Sequence, residues 1–198
     1  MAGRLTGVFR LLGQSWPVAI PLPALIAELG PEAVQAAERL GVARRRSLIA
    51  DDMYPCRSLC SMRLIEDDGL VAVCQHSPPR CHDERIAHEL AFWIEVDLDT
   101  VAPSLQRLLG LKPVHYGGGP VHALGSRRSG ARGVSFALVP QPLVAVRFGA
   151  IDRLVRGDPD RDHVVLTFTE ASIPADVPRR VDGVRVEWFG LDEAVTDD

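Results

Sequence analysis

All four cysteines of the chain lie within residues 56–81, which read CRSLCSMRLIEDDGLVAVCQHSPPRC. Three residues separate Cys56 from Cys60, within the two-to-four-residue gap of a zinc-binding pair. Six residues, several of them turn formers, separate Cys74 from Cys81. A structural zinc ion takes four soft ligands in a tetrahedron, commonly from two such pairs. The spacing therefore predicts a zinc site with four thiolate ligands.

A β-hairpin is predicted between the two cysteine pairs. Residues 62–73 contain two apolar, β-prone runs on either side of Asp68-Gly69, a dipeptide typical of tight turns. Folding of this hairpin returns Cys74 to the side of Cys60. The prolines that follow are expected to bend the chain so that Cys81 completes the tetrahedron.

Other readings of the four cysteines remain open. They would form disulfides in an exported protein, or hold an iron–sulfur cluster, although the compact ferredoxin spacings are missing. They can also be four thiols without a joint role. His76 and His82 lie beside the second pair, and either one can replace a thiolate in a site of three cysteines and one histidine.

The pattern around the cysteines predicts an α+β fold. Residues 3–13 read as a short strand or an arm, and Phe92–Leu98 alternates like a strand, followed by a helix capped by Asp99 or Thr100. The prolines and glycines near residues 21, 30 and 41 delimit two further helices. These helices are predicted over Leu22–Leu29 and Pro31–Leu40.

The second half of the sequence predicts an α/β domain with a mixed sheet. A strand hairpin, a helix, two apolar strands and a short crossover helix between these strands are expected. The hairpin is expected over residues 121–139 and the helix over Leu143–Val155. The two apolar strands are expected over His163–Phe168 and Val184–Phe189, with the crossover helix over Pro174–Asp182 between them.

Two domains are predicted, with their boundary at the proline- and glycine-rich residues 112–120. Residues 1–112 would form a small zinc-ribbon-like module with flanking helices, and residues 113–198 the α/β domain.

The 198 residues carry a net charge of −4, which argues against a protein that coats nucleic acid by bulk charge. Local contacts with phosphate are instead expected at two clusters of arginines. These clusters are Arg44, Arg45 and Arg46, and Arg127, Arg128 and Arg132.

No catalytic motif emerges from the sequence. The order of elements in the second half is similar to that of the restriction-endonuclease-like core, but such nucleases need two acids with a lysine two residues after the second. The only lysine, Lys112, stands in no such triplet. Serines 126, 129 and 135 lie near His115 and His122 without an acid in a recognisable order. A metal-assisted hydrolase or nuclease is the alternative function.

The sequence therefore predicts a zinc-stabilised binding or adaptor protein that contacts nucleic acid or a protein partner. A structural subunit of a larger assembly is a third possibility.

Near the beginning of the chain, the apolar run Trp16–Ala27 is interrupted by prolines and is too short to span a bilayer. A cytoplasmic protein without membrane contact is expected, which agrees with thiolates bound to metal.

Overall fold

The computed structural model describes residues 4–14, 18–55, 61–112, 119–129 and 132–194. These residues form a mixed α+β structure with seven helices and three sheets. The helices are α1 (Arg4–Gln14), α2 (Leu22–Leu29), α3 (Pro31–Leu40), α4 (Leu98–Leu108), α5 (Pro142–Arg147), α6 (Ala150–Gly157) and α7 (Leu191–Ala194). The strands are β1 (Val18–Pro21), β2 (Arg44–Ser47), β3 (Met53–Pro55), β4 (Ser61–Glu66), β5 (Leu70–Cys74), β6 (Glu84–Ile86), β7 (Phe92–Val96), β8 (His122–Ser129), β9 (Arg132–Leu138), β10 (Asp162–Thr167), β11 (Arg180–Val181) and β12 (Val184–Gly190).

The first three helices pack beside a three-stranded sheet with the order β1-β7-β2. Helices α2 and α3 have the bounds predicted from the sequence, and Gly30 and Gly41 take positive φ angles at their ends. Glycine adopts this left-handed backbone at little cost, which explains why both helices stop there. The helical prediction for residues 22–40 is therefore confirmed.

The five-stranded sheet has the order β11-β12-β10-β9-β8. Its central strands β9, β10 and β12 run parallel, and β8 is an antiparallel edge strand, so the mixed sheet is confirmed. Side chains on β12 alternate: Val186 and Trp188 are buried on one face with residues of α5 and α6, while Phe189 is exposed on the other. One face of this sheet is covered by helices and the other is partly open.

The four-stranded sheet has the order β3-β4-β5-β6 and carries the predicted cysteine hairpin. Strands β4 and β5 pair antiparallel, and Asp68 and Gly69 take positive φ angles in the turn between them. The hairpin prediction is confirmed. A small separate core lies beneath this sheet and includes Met62, Leu64 and Cys74.

Several local predictions are wrong. Residues 4–14 form α1 rather than a strand or an arm, because Val8, Phe9 and Leu12 share one buried face at helical spacing. The helix expected over residues 143–155 is divided into α5 and α6 at Gly149, whose φ is +59°. No helix forms over residues 174–182, where β11 pairs antiparallel with β12.

Helix α4 begins earlier than the sequence indicated. Its N-cap is Asp97, whose side chain accepts a hydrogen bond of 3.0 Å from the backbone N–H of Thr100. The hydroxyl of Thr100 accepts in return from the backbone N–H of Asp97 at 3.0 Å. This reciprocal arrangement satisfies two donors that otherwise lack a partner at a helix start, so Asp97 caps the helix rather than Asp99 or Thr100.

The largest buried cluster of apolar side chains contains residues from both sides of position 112. Val8, Phe9 and Val34 from the first helices lie in the same cluster as Leu124 and Leu138 from the five-stranded sheet. Part of the expected boundary, residues 113–118, lies outside the described residues, and the division into two domains stays a prediction. Within the described part of the chain, none of the helices combines the length and the apolar character needed to cross a lipid bilayer.

Candidate functional site

The described cysteines lie at one end of the four-stranded sheet. Cys74 ends β5 and is 7% exposed, and Cys81 is half-buried. Hydrogen bonds from the backbone N–H groups of His76 and Arg80 lower the pKa of the Cys74 thiol to about 7, against the opposing effect of burial, with a further contribution from Cys81. Backbone N–H groups directed at a sulfur favour its thiolate, which is the form that binds metal.

Cys56 and Cys60 lie outside the described residues, and the zinc site itself is therefore not shown. The two residues that flank them are placed: Pro55 in β3 pairs with Ser61 in β4. The next pair along β4 joins Met62 to Cys74, so both flanking residues lie at the sheet end that carries Cys74. Among the described residues, no group of three or more histidine, cysteine or acidic side chains can hold a metal ion.

The first arginine cluster forms β2, where each guanidinium is paired with carboxylates of the same chain. Arg44 contacts Glu95 at 3.1 Å and Asp97 at 2.8 Å. Arg46 contacts Glu95 at 2.8 Å and Asp52 at 3.3 Å. The positive charges of these two side chains are therefore compensated within the fold.

Arg45 lies on the other side of β2 and is held by α3 and β7. It forms an ion pair with Glu38, and this hydrogen bond is the main cause that raises the pKa of Arg45. Its guanidinium carbon also lies 5.4 Å from the ring centre of Phe92. A phosphate group would have to compete with these contacts, so β2 presents little uncompensated positive charge.

The arginines of the second cluster differ from those of the first in their pairing with carboxylates. Arg127 and Arg128 are exposed on the edge strand β8, and neither is paired with a carboxylate in the described part of the chain. The guanidinium carbon of Arg127 lies 5.2 Å from the ring centre of Phe136, a cation–π contact that orients the side chain while leaving its N–H donors available. The Arg132 side chain lies outside the described residues.

A groove on the open face of the five-stranded sheet lies beside Arg127. It has a volume of about 450 Å³, and Phe136 and Phe189 contribute to its walls together with apolar residues of β10. Phe189 is 42% exposed although its neighbours along β12 are buried. Arg185 also borders the groove, but it is paired with Glu187 at 3.1 Å. The groove thus combines an accessible aromatic ring with Arg127, which pairs with no carboxylate among the described residues, and the carboxylates of Asp162 and Glu187 also line it.

The helix-covered face carries a polar cluster that sequence reasoning missed. The Ser135 hydroxyl donates to Oδ2 of Asp158 at 2.7 Å, and Arg161 donates to the same oxygen at 2.8 Å. His163 is 1% exposed, and its Nε2 donates to the carbonyl oxygen of Asp158 at 2.9 Å. No sequence motif marks these residues; the parallel pairing of Ser135 with His163 brings them together.

This cluster does not have the geometry of a nucleophile and its base. In a catalytic relay the serine hydroxyl donates to histidine, and histidine to an acid. Here the hydroxyl donates to the carboxylate instead, and the histidine contacts a backbone carbonyl. The arrangement secures the turn between α6 and β10.

The chain matches no protein-family profile, no curated protein and no solved structure.

Proposed function

We propose that this chain is a non-enzymatic binding protein, stabilised by zinc, that contacts nucleic acid through the β8–β9 hairpin and the adjoining groove. The observation that carries the proposal is the contrast between the two arginine clusters. Arg44, Arg45 and Arg46 are paired with carboxylates, whereas Arg127 and Arg128 are exposed without such partners among the described residues. Uncompensated arginines on a surface attract phosphate groups.

The groove beside the hairpin supports nucleic acid over an acidic protein as the partner. Single-stranded nucleic acid binds where bases stack on aromatic rings and phosphates meet positive side chains. Phe189 offers a ring that is 42% exposed, and Arg127 lies along the same groove. An acidic peptide would use the arginines but would have no need of the exposed ring.

Zinc is proposed to stabilise the end of the four-stranded sheet that carries Cys74, through Cys56, Cys60, Cys74 and Cys81. The Cys74 sulfur, with its backbone N–H donors and its neighbour Cys81, fits a thiolate ligand. The pairing of Pro55 with Ser61 supports delivery of the other two ligands to the same end. Bound zinc would fix the loops between these strands and take no part in a reaction.

Fluorescence anisotropy with short single-stranded and duplex oligonucleotides tests this function, at salt concentrations between about 50 and 200 mM. The variant Arg127→Ala/Arg128→Ala is expected to weaken binding and to reduce the slope of log affinity against log salt, by about 0.7 per lost phosphate contact on the single strand and about 0.9 on the duplex. Arg44→Ala/Arg46→Ala changes the net charge by the same amount and is the control. It should leave the slope unchanged.

The proposal is overturned if the wild-type chain binds neither oligonucleotide at the lowest salt concentration. It is also overturned if both double variants change the slope equally, because binding would then follow bulk charge rather than this surface. Circular dichroism melting of each variant verifies that the fold is retained.

A further inference from the structure

A concentration of exposed apolar side chains lies on and just after α5. Eight large apolar residues are markedly exposed in the described part of the chain, and three of them fall within residues 143–148. Leu143 is 70% exposed, Val144 37% and Phe148 63%. An apolar patch of this kind on a protein surface marks a site of interaction with another macromolecule.

These side chains border a groove of about 430 Å³ between α5 and the segment that contains Pro174 and Asp176. Apolar residues predominate in its lining, with Val146 and Pro174 among them. Arg147 and Asp176 also line it, one of each charge. Both are exposed, and within the described residues neither forms an ion pair.

We infer that this groove is the interface of a homodimer with two-fold symmetry. In a two-fold interface the same patch is used by both copies, so the patch must be complementary to itself. The α5 patch meets this requirement because Phe148, an exposed ring at the edge of the groove, and the apolar lining of the groove are both present in each copy. It also offers one unpaired cation and one unpaired anion.

In the proposed dimer, Phe148 of each copy packs into the groove of the other. Arg147 of each copy pairs with the second copy's Asp176, which gives two ion pairs related by symmetry. A partner of a single charge would leave either Arg147 or Asp176 uncompensated, whereas a second copy of this chain compensates both. This inference rests on α5 and is independent of the proposed binding of nucleic acid.

Sedimentation equilibrium of the full chain over a wide concentration range tests the dimer. The wild-type chain is expected to show twice the mass of one chain, and Phe148→Asp to raise the dissociation constant about 30-fold or more, as for a central interface residue. Leu108→Asp alters a side chain of similar exposure on α4 and should leave the dimer intact.

A charge exchange then tests the pairing itself. Arg147→Glu and Asp176→Arg should each weaken the dimer, because like charges would face one another, and the double variant should restore it. The inference is overturned if the wild-type chain sediments as a monomer at every concentration. The inference is also overturned if Phe148→Asp leaves the dissociation constant of the dimer unchanged. The same holds if the double variant does not recover the affinity that the single charge variants lose.

Discussion

The indole N–H of Trp93 donates a hydrogen bond of 2.9 Å to Oδ2 of Asp52. Trp93 belongs to β7 in the three-stranded sheet, and Asp52 directly precedes β3 in the sheet that carries the cysteines. The same oxygen accepts from the backbone N–H of Ile49 at 3.2 Å and from Arg46 at 3.3 Å. The carboxylate of Asp52 thus links the start of β3 to both β2 and β7.

Replacement of this carboxylate is expected to destabilise the fold. Asp52→Asn keeps the shape of the side chain but removes the charge that three donors share, at a cost of about 1–3 kcal/mol in the free energy of unfolding. Urea denaturation measures this difference. Asp51→Asn is the matched control, because Asp51 is exposed and Asn tolerates its positive φ angle. An equal loss in both variants would contradict the assigned role of Asp52.

The contribution of Asp52 should depend on pH. Burial alone would raise the pKa of this carboxyl group, but the hydrogen bonds from Trp93, Ile49 and Arg46 outweigh it and hold the pKa below the ordinary value. A lowered pKa means that the ionised form is stabilised by folding. The stability difference between wild type and Asp52→Asn should be complete above about pH 5 and disappear as the pH falls through the lowered pKa. A difference that persists in acid would refute this assignment.

Metal analysis tests the zinc proposal. We expect one zinc ion per chain by mass spectrometry and a clear fall in melting temperature after chelation. Cys74→Ser and Cys81→Ser should each lower the zinc content strongly. His76→Ala and His82→Ala are the controls for a site of three cysteines and one histidine, and both should retain the metal. Absence of zinc from freshly purified protein, together with melting unaffected by chelator, would rule the site out.

Phe189 provides a test of the groove that is separate from charge. Phe189→Ala should lower the affinity for single-stranded oligonucleotide by about 1–3 kcal/mol, the contribution of one stacked base, without altering the salt slope. Affinity for duplex should change little, because its bases are already stacked on one another. Leu108→Ala serves as a control for the loss of an exposed apolar side chain. Equal effects on both oligonucleotides would exclude stacking on Phe189.

Position 125 requires glycine because its backbone lies very close to the backbone of Lys112. Its φ is +137°, and a Cβ at this position would lie 2.2 Å from the carbonyl oxygen of Lys112. Gly125→Ala should therefore cost about 2–4 kcal/mol through strain and steric overlap. Gly157→Ala is the control, because a Cβ there meets no atom within 4 Å. Thermal melting should separate the two variants, and similar melting temperatures would show that the backbone at Gly125 can relax.

Local signals in the sequence predicted several elements correctly. Gly30, Gly41 and Asp68-Gly69 act through the backbone of their own residues, so the bounds of α2 and α3 and the cysteine hairpin could be read directly. Helix α1 was missed because Gly7 and Gly13 argue against a helix. Its formation depends on burial of Val8, Phe9 and Leu12 against residues far away in the chain.

The candidate surfaces depend even more on contacts between distant residues. The run Arg44-Arg45-Arg46 looks like a basic surface in the sequence, but its partners include Glu95 and Asp97, about fifty residues away. Ser135 and His163 meet only through strand pairing. Phe189 is exposed because one face of the five-stranded sheet is only partly covered. No local sequence pattern predicts which part of a sheet face stays uncovered.

The contact between α1 and α7 affects how the chain folds during its synthesis. The Thr6 hydroxyl donates to the carbonyl oxygen of Asp192 at 3.1 Å, across 186 positions of sequence. Leu191 lies in the same buried cluster as Val8 and Phe9. Because a ribosome makes residue 8 long before residue 191, the apolar face of α1 cannot complete its packing until α7 has been made. Until then the apolar side chains of α1 that pack near α7 lack these neighbours, and we expect chaperones that bind exposed apolar segments to hold the nascent chain.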